Sequence, residues 1–406
     1  MLDTVQDDVQ GLMNEATLER DALCLETLSR MEGIGRQTLL QLLRKAGSPQ
    51  LLWEASEPFL RENLPDKKRE AFLRGRDAGL KFEILPRLKQ QEVQLLACTH
   101  PLYPALLLES HNPPAYLYIR GHIGALSGRT VAVVGTRQAS EYGRQVTEKL
   151  VSELQSAQVT IVSGLAAGID TFAHWAAIRA GLPTVAVFGC GLDVIFPATN
   201  GRLSREIVAQ GGALVSEYPL GMSPTRYTFP QRNRIVAGLS HGLLVVEGDL
   251  KSGAMITAKL ALEEGRTVCT VPGNIFSPGQ RGPNHLLKSG ATLVESGEDI
   301  LQELQWWNES GNLAAPLSKP SPPGLHGIQP APVSKMPARD MQIPEDIPGQ
   351  ERAVLQAIGF DPVSIEELQQ TTGLPSARIN GSLTLLELDG LIVLLPGAKV
   401  CRKSIC

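Results

Sequence analysis

Between Thr228 and Ser240 the chain reads Thr-Phe-Pro-Gln-Arg-Asn-Arg-Ile-Val-Ala-Gly-Leu-Ser, so a ring, two guanidiniums and an amide fall within Phe229–Arg234. Phe229 offers a face for stacking. Arg232 and Arg234 offer planar forks of donors that match phosphate oxygens. Such a pairing suits single-stranded nucleic acid, which presents both bases and phosphates. From Tyr218 to Val246 there are three arginines, Arg226 being the third, and no Asp or Glu. A plainer use of the same residues is a ring that closes a core and arginines paired with Glu247 and Asp249. The residues alone leave both readings open.

Other groups with chemistry follow apolar runs. These are Gly135, Thr136 and Arg137; the stretch from Ser163 and Gly164 through Gly168 to Asp170; Gly189 to Asp193; and Gly273 with Asn274. Glycine lets backbone approach a ligand closely, and amides at a helix start attract anions. Four such turns, with Arg137 among them, predict an anion-binding crest. Lys251, Ser252 and Gly253 form a further turn of this kind, with Ser252 placed to cap a helix. None of these is a GxGxxG or GxxxxGK[ST] pattern, so neither NAD nor ATP hydrolysis is implied and no cofactor is expected. Asp170 and His174, four apart on one helix, are spaced for a mutual hydrogen bond that locks a core. Together with Glu247 they are the acid–base candidates. No nucleophile stands beside them in a recognisable pattern, so the chain reads as a binding protein rather than an enzyme.

The elements that position these groups are legible as an alternation. Apolar runs at Val131–Gly135, Val159–Gly164, Thr184–Gly189, Ala213–Ser216, Gly242–Glu247, Thr267–Pro272 and Thr292–Val294 read as strands. Amphipathic stretches such as Tyr142–Gln155 and Ala254–Glu264 separate them. Fully apolar strands alternating with helices imply a parallel sheet covered on both faces, with ligands outside its carboxyl edge.

The 406 residues are 43% hydrophobic and 20% charged, enough for two to four soluble domains. No membrane-spanning run or signal-peptide core is visible, and six scattered cysteines without a CxxC read as reduced thiols in a cytoplasmic protein without a metal site. The net charge of −4 argues against duplex binding by bulk charge alone and allows a local basic groove.

Residues 1–97 read as a helical domain of the SAM or helix-hairpin-helix kind. Leucine-patterned helices flank Glu32–Gly35, a turn whose amides either hold a phosphate or merely reverse the chain. A domain over 98–305 contains the sheet. Residues 306–348 are a linker, with nine prolines between Ser310 and Gln350. In 349–406, a capping box at Ser364–Glu367, a turn at Gly373 and a helix over Pro375–Leu388 lead to a hairpin through Pro396 and Gly397, the order of a winged helix. From Glu351 to Arg402 there are four basic and six acidic residues, which argues for protein interaction or autoregulation over strong duplex binding.

These stretches together resemble the DNA-processing protein A family (DprA, also called Smf). The resemblance rests on Val133–Arg137, Ser163–Asp170 with Ala173 and His174, Gly191–Pro197, Ser216–Pro219, Phe229–Arg234, Ser252–Ala258 and Val271–Gly273, in the family's order. It implies an α/β fold with an extended Rossmann-like core and a winged-helix tail. It implies a non-catalytic recombination mediator that binds single-stranded DNA, acts as a homodimer, protects incoming strands and helps load the RecA recombinase during natural transformation. Carried over by position, the DNA pocket would use Gly135, Thr136, Arg137, Ser163, Gly164, Gly168, Phe229, Arg232, Asn233, Arg234, Lys251, Ser252, Gly253 and Gly273. Ala167 and Ala198 stand where relatives often carry a basic residue, which implies a less cationic pocket unless Arg202 or Lys251 compensates. The competing reading is a nucleotide phosphoribohydrolase on a related fold, but the PGGxGTxxE pattern of those enzymes does not continue after Pro272 and Gly273. A third, a winged-helix transcription factor, is disfavoured by the acidic tail.

Overall fold

The computed structural model describes residues 2–306 and, further on, 354–358, 363–374, 378–379, 382–383, 386, 392–395 and 399–402. The chain divides into two units, Met1–Gly327 and Ile328–Cys406.

In the first unit nine strands form one sheet: β1 (Val93–Ala97), β2 (Tyr116–Gly121), β3 (Thr130–Val134), β4 (Thr160–Ser163), β5 (Thr184–Phe188), β6 (Ala213–Ser216), β7 (Gly242–Val245), β8 (Thr267–Thr270) and β9 (Thr292–Leu293). Their order is β1-β2-β6-β5-β4-β3-β7-β8-β9. The strands from β6 to β9 in that order pair in parallel, whereas β2 pairs antiparallel with both β1 and β6. The seven parallel strands are those the apolar runs predict. The antiparallel pair at one edge makes the sheet mixed rather than purely parallel, and brings Tyr116–Gly121 into it.

Successive residues of a strand face opposite sides, and here both sides are buried. Ala132 and Val134 of β3 pack into one core with Ile235 and Val236 of the helix Thr228–Gly238 and with Ala254 and Ala258 of the helix Gly253–Glu263. Val131 and Val133 pack into the other, against Leu150 and Val151 of the helix Glu141–Glu153 and Ile169 and Ala173 of the helix Ile169–Arg179. The six strands β3 to β8, buried in this way, explain the unbroken apolar runs. The first core also takes up Leu25 and Leu28 of the long helix Leu2–Ser29 and Leu39, Leu42 and Leu43 of the helix Arg36–Ala46.

Chain order reverses at β3. The chain steps outward through β4, β5 and β6, then returns to place β7 on the other flank of β3. Helices that diverge from such a point leave a crevice at the carboxyl ends of its two strands.

In the second unit β10 (Val363–Ser364), β11 (Ile392–Leu395) and β12 (Lys399–Arg402) form an antiparallel sheet in the order β10-β12-β11, and the helix Ile365–Thr372 follows β10 directly. The expected hairpin is present, and β10 adds a third strand to it. The linker, the side-chain bonds of the capping box and most of the helix expected over Pro375–Leu388 lie outside the described residues.

Among the described residues no helix is long and apolar enough to cross a membrane, and no cluster of His, Cys, Asp or Glu could hold a metal ion. Cys24, Cys98, Cys190 and Cys269 are buried and free.

Candidate functional site

A cleft of about 810 Å³ opens at the switch point. Its walls are the chain leaving β3 (Val134–Gln138), the turn after β4 (Gly164, Ala166), one face of the helix Thr228–Gly238 and the start of the helix Gly253–Glu263. The helix supplies Phe229, Arg232, Asn233 and Val236, positions i, i+3, i+4 and i+7, which share one face at 3.6 residues per turn. Pro230 is tolerated because it sits in the first turn, where its missing N–H has no intrahelical role.

The rim carries the free charge. Arg137 is exposed, and its guanidinium lies 5.4 Å from the centre of the Phe229 ring. This is within cation–π range. The Phe229 ring also meets Phe196, centroid to centroid at 5.4 Å with the planes tilted by 43°. Phe196 remains 44% exposed, so an aromatic surface stays open to solvent beside the guanidinium. Arg226 lies over the exposed Tyr227 ring at 4.7 Å, forming a second ring–guanidinium pair where the chain enters the helix. Among the described residues neither Arg137 nor Arg226 has an acidic partner.

Arg232 is different. It is 5% exposed and donates to the carbonyl oxygens of Gly164, at 2.7 Å, and of Val187. Its guanidinium therefore forms the floor of the cleft. Gly164 is needed for this contact, since a Cβ there would overlap the guanidinium. Beneath lies Asp170, whose carboxylate accepts from the N–H groups of Gly164 at 3.0 Å and Ala166 at 3.4 Å. Burial pushes the Asp170 carboxyl above its ordinary range, against the opposing pull of Arg232 and the two N–H groups. Among the described residues Asp170 is the sole acid on the cleft wall.

Arg234, two residues beyond Arg232 and so about 200° around the helix, faces elsewhere. It donates to Asn112 O at 2.6 Å and pairs with Glu217. Glu217 also holds Arg36 through two bonds of 2.7 and 2.8 Å, joining the helix Arg36–Ala46 to the sheet. The arginines thus use Glu217 and backbone carbonyls, not Glu247 or Asp249.

Of the residues expected at the site, the cleft brings together Gly135, Thr136, Arg137, Gly164, Phe229, Arg232, Asn233, Ser252 and Gly253. It leaves out Ser163, Gly168, Arg234, Lys251 and Gly273. Ser163 is fully buried, its hydroxyl donating to Val133 O at 2.6 Å to tie β4 to β3. Gly168 has φ +80° and lies against Thr136 O, and Gly273 makes room for the Gln280 side chain. These glycines accommodate the protein's own groups. Gly253 does not, because a Cβ there would meet nothing within 4 Å. Next to it Ser252 holds the N-cap position without making a capping bond, and its buried hydroxyl oxygen has no partner. An uncapped helix start with an idle hydroxyl and open space is suited to an incoming anion.

The acid–base candidates are all engaged. His174 is fully buried and shares a 2.7 Å bond with Thr184 Oγ1 rather than with Asp170, so the expected mutual bond is absent. Burial, reinforced by Arg232, lowers its pKa to about 3 and keeps it neutral. Glu247 is 2% exposed and accepts from the Ser140 N–H at 2.9 Å, the Ser140 hydroxyl and Gln280 Nε2 at 3.5 Å. It fastens the chain that leaves β3, and with it Arg137.

Sequence reasoning did not single out Phe196, Tyr227, Ile256 or Thr257 for the site. Tyr227 adjoins Arg226 inside the acid-free window, a usable signal. Phe196 lies within the stretch Gly191–Pro197, but its stacking on Phe229 is a tertiary contact across 33 residues.

Comparison with known proteins places the chain among relatives of one kind. The family model "DNA recombination-mediator protein A" matches residues 94–305, and "DprA winged helix domain" matches 337–398. The chain is 38% identical over 319 residues to Protein Smf of Escherichia coli, covering 79% of this chain and 80% of that one. It is 33% identical over 389 residues to Protein Smf of Synechocystis, covering 92% and 97%. The X-ray structure of DNA processing protein A from Streptococcus pneumoniae superposes with a TM-score of 0.59 at 35% identity, over 69% of this chain and 95% of that one.

Proposed function

Since the chain belongs to the DNA recombination-mediator protein A family, we propose that its cleft binds single-stranded DNA without chemical change. The observation that carries this reading is the partly open Phe229–Phe196 aromatic surface with the unpaired Arg137 guanidinium against it. Stacked bases and a phosphate need these two groups side by side. The open start of the helix Gly253–Glu263 offers amides to a neighbouring phosphate. Within the cleft, Gly135, Thr136, Arg137, Gly164, Phe229, Asn233, Ser252 and Gly253 contact the strand, and Arg232 supports them from below. Lys251 stands beside the cleft as an auxiliary cation. Asp170, His174 and Glu247 are committed to structural bonds, which favours a mediator over an enzyme.

On this reading the protein is a cytoplasmic homodimer that shields incoming single strands and passes them to the RecA recombinase during natural transformation. The decisive experiment is a titration of fluorescent oligonucleotides, single- and double-stranded, over a salt series. Single strands should bind more tightly at every salt concentration, and affinity should fall as salt rises because phosphate contacts release counterions. Equal affinity for duplex and single strand would overturn the proposal.

A further inference from the structure

Beyond the cleft, the same edge of the sheet carries a second aromatic group that no core claims. The loop after β8 turns Ile275 and Phe276 outward, 76% and 87% exposed. The loop is well braced. Phe276 N–H donates to Asn274 Oδ1 at 2.9 Å, Asn284 Nδ2 donates to Gly273 O at 3.1 Å, and the Tyr142 hydroxyl donates to Pro272 O at 2.7 Å. Holding a phenyl ring in water on braced backbone is unfavourable unless something covers it.

The loop is continuous with the cleft. Gly248 and its neighbours, in the turn that leads from β7 to Ser252, are bonded to it through Gly248 N–H to Gly279 O at 2.7 Å and Gly282 N–H to Gly248 O at 2.8 Å. From β3 to β8 is two strand spacings, about 10 Å. The intervening turn exposes Leu250 and Lys251. Exposed Arg281 lies just beyond, and among the described residues neither Lys251 nor Arg281 has an ion-pair partner. From Thr267 to Val294 the chain contains no Asp or Glu. The exposed acid on this path is Asp249, whose carboxylate already accepts the Leu250 N–H at 2.8 Å.

We propose that Phe276 is a second stacking platform for the same single strand, which leaves the cleft at Arg137, crosses the Lys251 turn and lays a further base on the Phe276 ring beside Arg281. This rests on the single-strand reading of the cleft and extends it, because it makes the site longer than the cleft. The charge on the path selects a polyanion over an apolar peptide, and the ring selects unpaired bases over duplex.

The test compares Phe276→Ala with wild type on oligothymidylates of about six and about twenty nucleotides, lengths that bracket single-strand site sizes. Phe276→Ala should bind the short strand as wild type does. It should bind the long strand roughly five- to a hundredfold more weakly, the loss expected for about 1–3 kcal/mol of stacking per base. Its melting temperature should not change, because the ring is almost fully exposed. Unchanged affinity for the long strand overturns this inference alone, and a shift to a smaller oligomer with unchanged affinity reassigns the ring to self-association. Failure of wild type to bind either strand overturns the cleft reading with it.

Discussion

Arg232 and Arg137 reach the same cleft and do opposite things. Arg232 is buried, bonded to two carbonyl oxygens and set above a buried carboxylate. Arg137 is exposed, and its guanidinium lies over an aromatic face with no acidic partner among the described residues. A guanidinium taken out of water must be fully bonded, and one that is fully bonded has few donors left for a ligand. The buried arginine therefore shapes the site, and the exposed one is free to recognise. Arg234 and Arg226 repeat the contrast, one locked to Glu217 and Asn112, the other lying over Tyr227 at the rim. Counting basic residues in a motif overstates the charge that a ligand meets.

The contrast can be broken most forcefully at Arg232. Arg232→Ala removes the donor of two buried charge-assisted hydrogen bonds and the charge that faces Asp170, and should cost about 3–5 kcal/mol of stability. In a unit of this size that lowers the melting temperature by roughly 10 °C, and DNA binding should fall with it. An Arg232→Ala protein that melts like wild type would show that Arg232 does not hold the floor.

Arg137→Ala should separate the two properties. Loss of a charge-assisted hydrogen bond to phosphate is worth about 1.5–3 kcal/mol, or roughly ten- to a hundredfold in affinity for single strands. Calorimetry should show unchanged melting, since no acid or carbonyl depends on this side chain. Coupled loss of stability and affinity would place Arg137 in the same class as Arg232.

His174 gives a smaller and pH-dependent version of the contrast. Its folded pKa is about 3 against an ordinary value of 6.5, so the unfolded chain takes up a proton that the folded chain refuses. Stability from this source is complete above about pH 6.5 and is lost as the pH falls toward the folded value, by about 2 kcal/mol at pH 5. Wild type should thus lose more stability than His174→Gln between pH 7 and pH 5, a difference in which the opposite trend of Asp170 cancels. Parallel curves for the two proteins would mean that the fold does not hold the His174 pKa below its ordinary value.

The parallel strands were legible because burial on both faces writes itself as unbroken apolar runs. β1 was not, because Val93–Ala97 has the burial pattern of an edge strand and becomes one only on meeting Tyr116–Gly121. Within the site, the crest glycines were legible as strand ends but not in their purpose. That Gly164 yields to Arg232 and Gly273 to Gln280 depends on contacts between distant segments. The 3.6-residue period in Phe229–Val236 was available to separate Arg234 from the cleft face. Its engagement with Glu217, 17 residues upstream, was not.

The place of β2 between β1 and β6 bears on how the chain is made. β2 pairs Tyr118 with Ser216, and Arg36 meets Glu217. A ribosome adding about 5–20 residues per second releases Ser216 some 5–20 s after Tyr118. During that interval the N-terminal helices and the β1–β2 pair have emerged, but their docking edge does not yet exist. The first segments synthesised therefore wait longest for their partner, and the edge of β2 that pairs with β6 stays uncovered until Ser216 has emerged.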